Sequence, residues 1–138
     1  MKPRRNSRLF CYIEHVPESK IIGTRYVLAV QDLNKSLSYY ENQLGFKLLW
    51  KVDGWVCIRR ESFEIMLGEC PADVSAFDTN NHSYFAYIDV EAINLIFEEL
   101  KQKKIEIISN LADKPWGQRE FGIRTIDGHR IMFGEEIE

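Results

Sequence analysis

Phe63-Glu64-Ile65-Met66-Leu67-Gly68-Glu69 is nearly repeated at His129-Arg130-Ile131-Met132-Phe133-Gly134-Glu135, at an offset of 66 positions. Ile, Met, Gly and Glu are identical in the two copies, and Leu67 against Phe133 keeps a large apolar side chain. Self-similarity at a fixed offset is the mark of a duplicated structural unit.

Working outward, each copy is preceded at a similar distance by an apolar β-type run and an amphipathic stretch. Tyr26-Val27-Leu28-Ala29-Val30 leads to Asp32 and a helix expected from Leu33 to Leu44, with Leu33, Leu37, Tyr40 and Leu44 on one face and Gly45 at its end. Asp32 reads as an N-cap, because a short carboxylate can accept the free N–H groups of a first turn. In the second half Tyr84-Phe85-Ala86-Tyr87-Ile88 and Asp89 precede a helix expected over Val90 to Lys104, with Ile93, Ile96, Phe97 and Leu100 on its apolar face. Three strands are expected after each helix, over 46–52, 55–60 and 63–68, then 105–108, 120–125 and 130–133. Asp53-Gly54 and Asp127-Gly128 read as hairpin turns at equivalent places. The fold class is therefore α+β, two tandem βαβββ units, with halves at about 21–70 and 82–138 forming one domain over 21–138.

Composition agrees. A chain of 138 residues, 45% hydrophobic and 12% aromatic, can bury one core and is too short for two ordinary domains. No apolar run approaches the roughly 20 residues that cross a bilayer, so no membrane association is expected. A formal charge of −3 gives no reason to expect nucleic acid. Cys11, Cys57 and Cys70 have neither disulfide-framework density nor metal-ligand spacing, which points to a reducing cytoplasm. Residues 1–20 differ from the rest: Lys2, Arg4, Arg5, Arg8 and Lys20 against Glu14 and Glu18 make a basic extension outside the duplicated core. It lacks the apolar h-region of a secretory signal.

The duplication, the strand-Asp-Leu-helix opening with Tyr39-Tyr40 and Leu44-Gly45-Phe46, and the run Pro115-Trp116-Gly117-Gln118-Arg119-Glu120-Phe121 with Asp127-Gly128-His129-Arg130 resemble the vicinal oxygen chelate superfamily. That group contains glyoxalase I, extradiol dioxygenases and bleomycin-resistance proteins, and the Pro-Trp-Gly-x-Arg-Glu-Phe run resembles the bleomycin-resistance branch. The resemblance spans about residues 21 to 137 and implies a curved mixed-sheet cup. In metal-dependent members, it further implies, opening- and closing-strand side chains bind a divalent ion. Those positions fall here on Arg25, Ser83, Met66 and Met132, none a usual ligand for a hard or borderline ion. A register slip of one leaves His82 as the one ligand type among the shifted candidates. The fallback metal set, which needs different shifts on different strands, is Glu64, His82, His129 and Glu135.

No metal and no other cofactor is expected. The cup is expected to hold a planar or amphipathic small molecule on Trp50, Trp55, Phe85, Tyr87, Phe121 and Phe133, with Trp116 the strongest single candidate because its loop gives an indole little structural role. Arg25 and Arg119 would supply cations, Arg25 needing Glu64, Glu120 or an anionic ligand as partner, while Arg119 and Glu120 could equally pair with each other. Met66, Met132 and Ser83 complete the ligand-binding set, core packing being an equally good reading of the two methionines. The functional expectation is a cytoplasmic, homodimeric, metal-free small-molecule-binding protein of bleomycin-resistance type, acting by sequestration, its ligand an antibiotic or another aromatic or anionic molecule, with antibiotic resistance as the family label. The alternative is a metal-dependent glyoxalase-like lyase or isomerase, or a dioxygenase. Acid-base catalysis by Glu64 or Glu120 and a regulatory module remain open at this stage.

Overall fold

A computed structural model describes residue 19 and residues 22–78 and 84–138. The expected extension over residues 1–20, Ser19 apart, lies outside them, as do His82 and Ser83. The first half runs β1 (Tyr26–Val30), α1 (Leu33–Asn42), β2 (Lys47–Val52), β3 (Trp55–Arg60) and β4 (Phe63–Glu69). A single 3-10 turn, Ala76–Asp78, follows. The second half runs β5 (Ala86–Asp89), α2 (Ile93–Gln102), β6 (Glu106–Asp113), β7 (Gln118–Arg124) and β8 (Arg130–Glu136). Each half builds its own four-stranded mixed sheet, in the orders β1-β4-β3-β2 and β5-β8-β7-β6. The opening strand of each lies parallel to the closing strand, pairing Val27 with Met66 and Tyr87 with Met132.

The duplicated heptad thus becomes β4 and β8, an inner strand of each sheet. Strand side chains alternate faces, so Ile65 and Leu67, like Ile131 and Phe133, turn toward the helices and are buried, while Met66 and Met132 turn the other way. The helices cover that inner side with Leu33, Tyr40 and Leu44 from the first half and Ile93, Phe97 and Leu100 from the second. All of these join one apolar cluster. Fully burying each such side chain is worth about 1.5–3 kcal/mol, which is why neither half is complete alone. Polar ties cross the same seam. Ser36 Oγ donates to Asp127 at 2.9 Å, and Arg60 grips the Glu99 carboxylate with two nitrogens, each at 3.0 Å.

Two local expectations are corrected. Asp32 caps α1 as expected, accepting the Lys35 N–H at 3.1 Å. Asp89, however, ends β5, and α2 begins only at Ile93 after a left-handed Ala92 (φ 56°) with no side-chain cap of its own. The turns are not equivalent either. Asp53-Gly54 joins β2 to β3, whereas Asp127-Gly128 joins β7 to β8 and so corresponds to Glu61-Ser62 in the first half. There Glu61 itself takes the positive φ (49°) that Gly128 (92°) takes in the second.

Candidate functional site

Because the helices and the shared core lie on one side of each sheet, the opposite faces are left uncovered by the described residues. On the second sheet that face carries Tyr87 from β5, Glu120 and Gly122 from β7, and Met132 and Gly134 from β8, cross-strand neighbours by register. Glycine is required at two of these places by ring packing. A Cβ at Gly134 would come within 2.8 Å of Tyr87 Cε1, and one at Gly122 within 2.7 Å of Tyr84 Oη.

Glu120 organises this face. Its carboxylate is only 5% exposed, and its Oε2 lies 2.8 Å from Tyr87 Oη and 2.9 Å from Trp116 Nε1, both donors. Tyr87 Oη also lies 3.0 Å from Gln118 Oε1, but its single proton belongs with the ionised acceptor, the stronger partner. Burial and this carboxylate push the Tyr87 hydroxyl well above the ordinary tyrosine range, so it stays a donor at any physiological pH. The neighbouring arginines are engaged elsewhere: Arg119 Nε holds Asp113 at 2.6 Å and Arg124 Nε faces Glu106 at 3.4 Å. Trp116 is consequently fixed by its N–H while its indole remains 65% exposed. A rigid aromatic surface beside a buried carboxylate can stack on a planar group and attract a cation or donor.

The matching face of the first sheet carries Trp55, Cys57 and Arg59 from β3 opposite Gly68, Met66 and Glu64 from β4. The Trp55 ring lies over Gly68 as Tyr87 lies over Gly134. Trp50 joins Cys57 on this face through an irregularity in β2 after Leu48. Arg25 Nε meets Glu64 Oε1 at 3.3 Å and Arg59 Nη1 meets Glu64 Oε2 at 3.4 Å. Of the two carboxylates weighed for Arg25, the structure gives Glu64.

Other expected site residues are placed elsewhere. Phe133 is buried on the helical side and stacks on Phe121, ring centroids 4.9 Å apart. Phe85 packs edge-on against Tyr26 and His129 beside the core. Arg119 neighbours Phe121 in its alternation and binds Asp113 and Asn94, not Glu120. The role of Glu120 as the anchor of Trp116 and Tyr87, and the Tyr84 ring over Gly122, were not read from the sequence. The available signal was a carboxylate two residues before a mid-strand glycine, in step with Trp116 four residues earlier.

The residues at the implied metal positions do not fit a hard or borderline divalent ion. Arg25 Nη1 sits 3.9 Å from Met66 Sδ, placing a permanent cation against a thioether that suits only soft metals. Of the fallback set, His82 lies outside the described residues and the other three are engaged apart: Glu64 is held by two arginines, His129 packs on Phe85, and Glu135 binds the backbone of α2. Among the described residues no three His, Cys, Asp or Glu side chains converge on a common point.

With this geometry in view, known proteins match it closely in fold. A bleomycin resistance protein of Geobacillus stearothermophilus is 27% identical over 124 residues, spanning 80% of this chain and 94% of its own. A bleomycin-binding protein from Streptomyces verticillus, solved with copper(II)-bleomycin, superposes with a TM-score of 0.67 at 21% identity, covering 84% of this chain and 97% of that one. A glyoxalase/bleomycin resistance protein/dioxygenase from Alicyclobacillus acidocaldarius superposes with a TM-score of 0.73 at 13% identity, covering 85% and 92%. Residues 23–133, nearly the whole of the two repeated units, match a single family model, and the chain belongs to the glyoxalase/bleomycin resistance protein/dioxygenase superfamily.

Proposed function

We propose that this protein binds a planar small molecule on its uncovered sheet faces and acts by sequestration, as a resistance protein of the bleomycin type. The observation that carries the reading is Trp116, held by its N–H on buried Glu120 yet presenting its ring to solvent. A fixed indole costs a ligand no ordering of the protein, which raises affinity without any covalent step. Glu120 favours a ligand with a cationic or hydrogen-bond-donating group beside its planar part. Met132 lies on the same wall as Trp116, while Trp50, Trp55, Met66 and Arg25 are proposed as the second wall, with Ser83 beside them.

The protein is further proposed to be a homodimer in which a first-sheet face of one copy meets a second-sheet face of the other. Val27 (60% exposed), Tyr87 (42%) and Trp116 (65%) would otherwise leave apolar surface bare on both sheets. The cytoplasm is the proposed compartment, where Cys57 and Cys70 stay free thiols. No helix among the described residues is long and apolar enough to cross a membrane.

The test is calorimetric titration with bleomycin, followed by denaturing release and mass measurement of the ligand. Saturable binding with bleomycin recovered unchanged supports sequestration. A mass change on release replaces it with turnover, and absence of binding removes bleomycin as the ligand.

A further inference from the structure

A cleft of about 470 Å³ opens between the two halves on the helical side of the sheets, away from Trp116. Its size lies within the roughly 300–1,000 Å³ of small-molecule sites. Phe46, Leu100, Ile131 and Phe133 form an apolar floor, and Leu95, 72% exposed, stands at the rim. The mouth is strongly one-sided in charge. Glu61, Asp89, Glu91 and Glu99 line it against one cation, Arg60. That guanidinium is already satisfied by Glu99, by the Leu44 carbonyl at 2.9 Å and by Glu61 at 3.5 Å.

We propose that this cleft is a second binding site, separate from the Trp116 face, and that it takes an amphipathic amine. The apolar body of the amine rests on the phenylalanine and isoleucine floor, and its ammonium sits among the mouth carboxylates. An anion finds no free cation here, since Arg60 is neutralised on the spot. A neutral apolar molecule gains the floor alone, because nothing at the mouth needs it. The ammonium instead offsets the excess of four carboxylates over one guanidinium that the described lining leaves. The inference stands on the cleft alone, so failure of the bleomycin titration leaves it intact.

The experiment uses the full chain with labelled isoleucine and methionine methyl groups and three probes sharing one body: 4-phenylbutylamine, 4-phenylbutan-1-ol and 4-phenylbutyrate. The amine is expected to move the methyl resonances of Ile88, Ile96 and Ile131 and to bind about two- to fivefold more tightly than the alcohol, with butyrate weaker still. Glu61→Gln with Glu91→Gln, both exposed and outside the core, is expected to erase the advantage of the amine while the alcohol binds as before. Three results overturn the proposal. Equal or tighter binding of butyrate removes the charge argument, and shifts confined to Met66 and Met132 move the amine to the other face. No methyl shift with any probe means the cleft takes none of them.

Discussion

The carboxylate of Glu135, the last residue of the repeated heptad, accepts the backbone N–H of Ile93 at 2.9 Å and of Ala92 at 3.1 Å. Glu69, its counterpart in the first copy, accepts the N–H of Leu33 at 3.0 Å. The glutamate kept in both copies is therefore a helix cap delivered across space by the closing strand. It satisfies first-turn donors and places a negative charge at the positive end of the helix dipole.

This relationship sets an asymmetric expectation. α1 also has Asp32, whereas α2 has no cap of its own. Glu135→Ala should therefore cost about 1–2 kcal/mol, and Glu69→Ala less. Urea unfolding of the two variants side by side checks it, and equal losses would show that Asp32 adds nothing to α1.

The same pair shows what the sequence could and could not reveal. The repeat, the strand alternation and the apolar helix faces are local patterns, and they placed both sheets and the buried Leu33, Tyr40, Ile93 and Leu100 correctly. The cap of α2 lies 42 residues away in sequence, so no local pattern pointed to it. The aromatic site failed for a similar reason. Ring count alone does not separate Phe133, buried against Phe121, from Tyr87, one strand face away. The exposure of Trp116 was legible because its loop gave it no core to join, but the meeting of Glu120 with Tyr87 depended on the register of β5, β8 and β7.

Trp116→Ala should weaken ligand binding by about five- to 150-fold, the scale of about 1–3 kcal/mol seen for stacked aromatics. Unfolding stability should fall only by about 1 kcal/mol, because the indole is 65% exposed and Tyr87 still donates to Glu120 when the Trp116 N–H is lost. Calorimetry with bleomycin and thermal unfolding of the same sample separate the two effects. If the variant unfolds early and binds normally, the indole serves the fold.

Asp127 yields a pH prediction. Burial raises its carboxyl above the ordinary range, with the Ser36 hydrogen bond and His129 opposing. The folded state then holds the proton more tightly than the unfolded chain. Stability from this group is fully present below its ordinary value, near 3.8, and is lost as pH rises through the raised folded value. Subtracting the profile of Asp127→Asn from that of the wild type should expose this fall. A difference that rises with pH in that window contradicts the assignment.

Gly134→Ala tests whether the Tyr87 ring is held by the absence of a side chain beneath it. The new methyl would overlap the hydroxyl and ring of Tyr87, and overpacking of this kind costs about 1–3 kcal/mol. The ring would lift from Gly134 and carry its hydroxyl off Glu120, so ligand binding should fall together with stability. A global strain would behave differently from this local one. In a Tyr87→Ala background the methyl meets no ring, so Gly134→Ala should then be nearly neutral, and the two changes should couple by about 0.5–3 kcal/mol. Strict additivity in that double-mutant cycle would mean that Gly134 is required for a reason other than Tyr87.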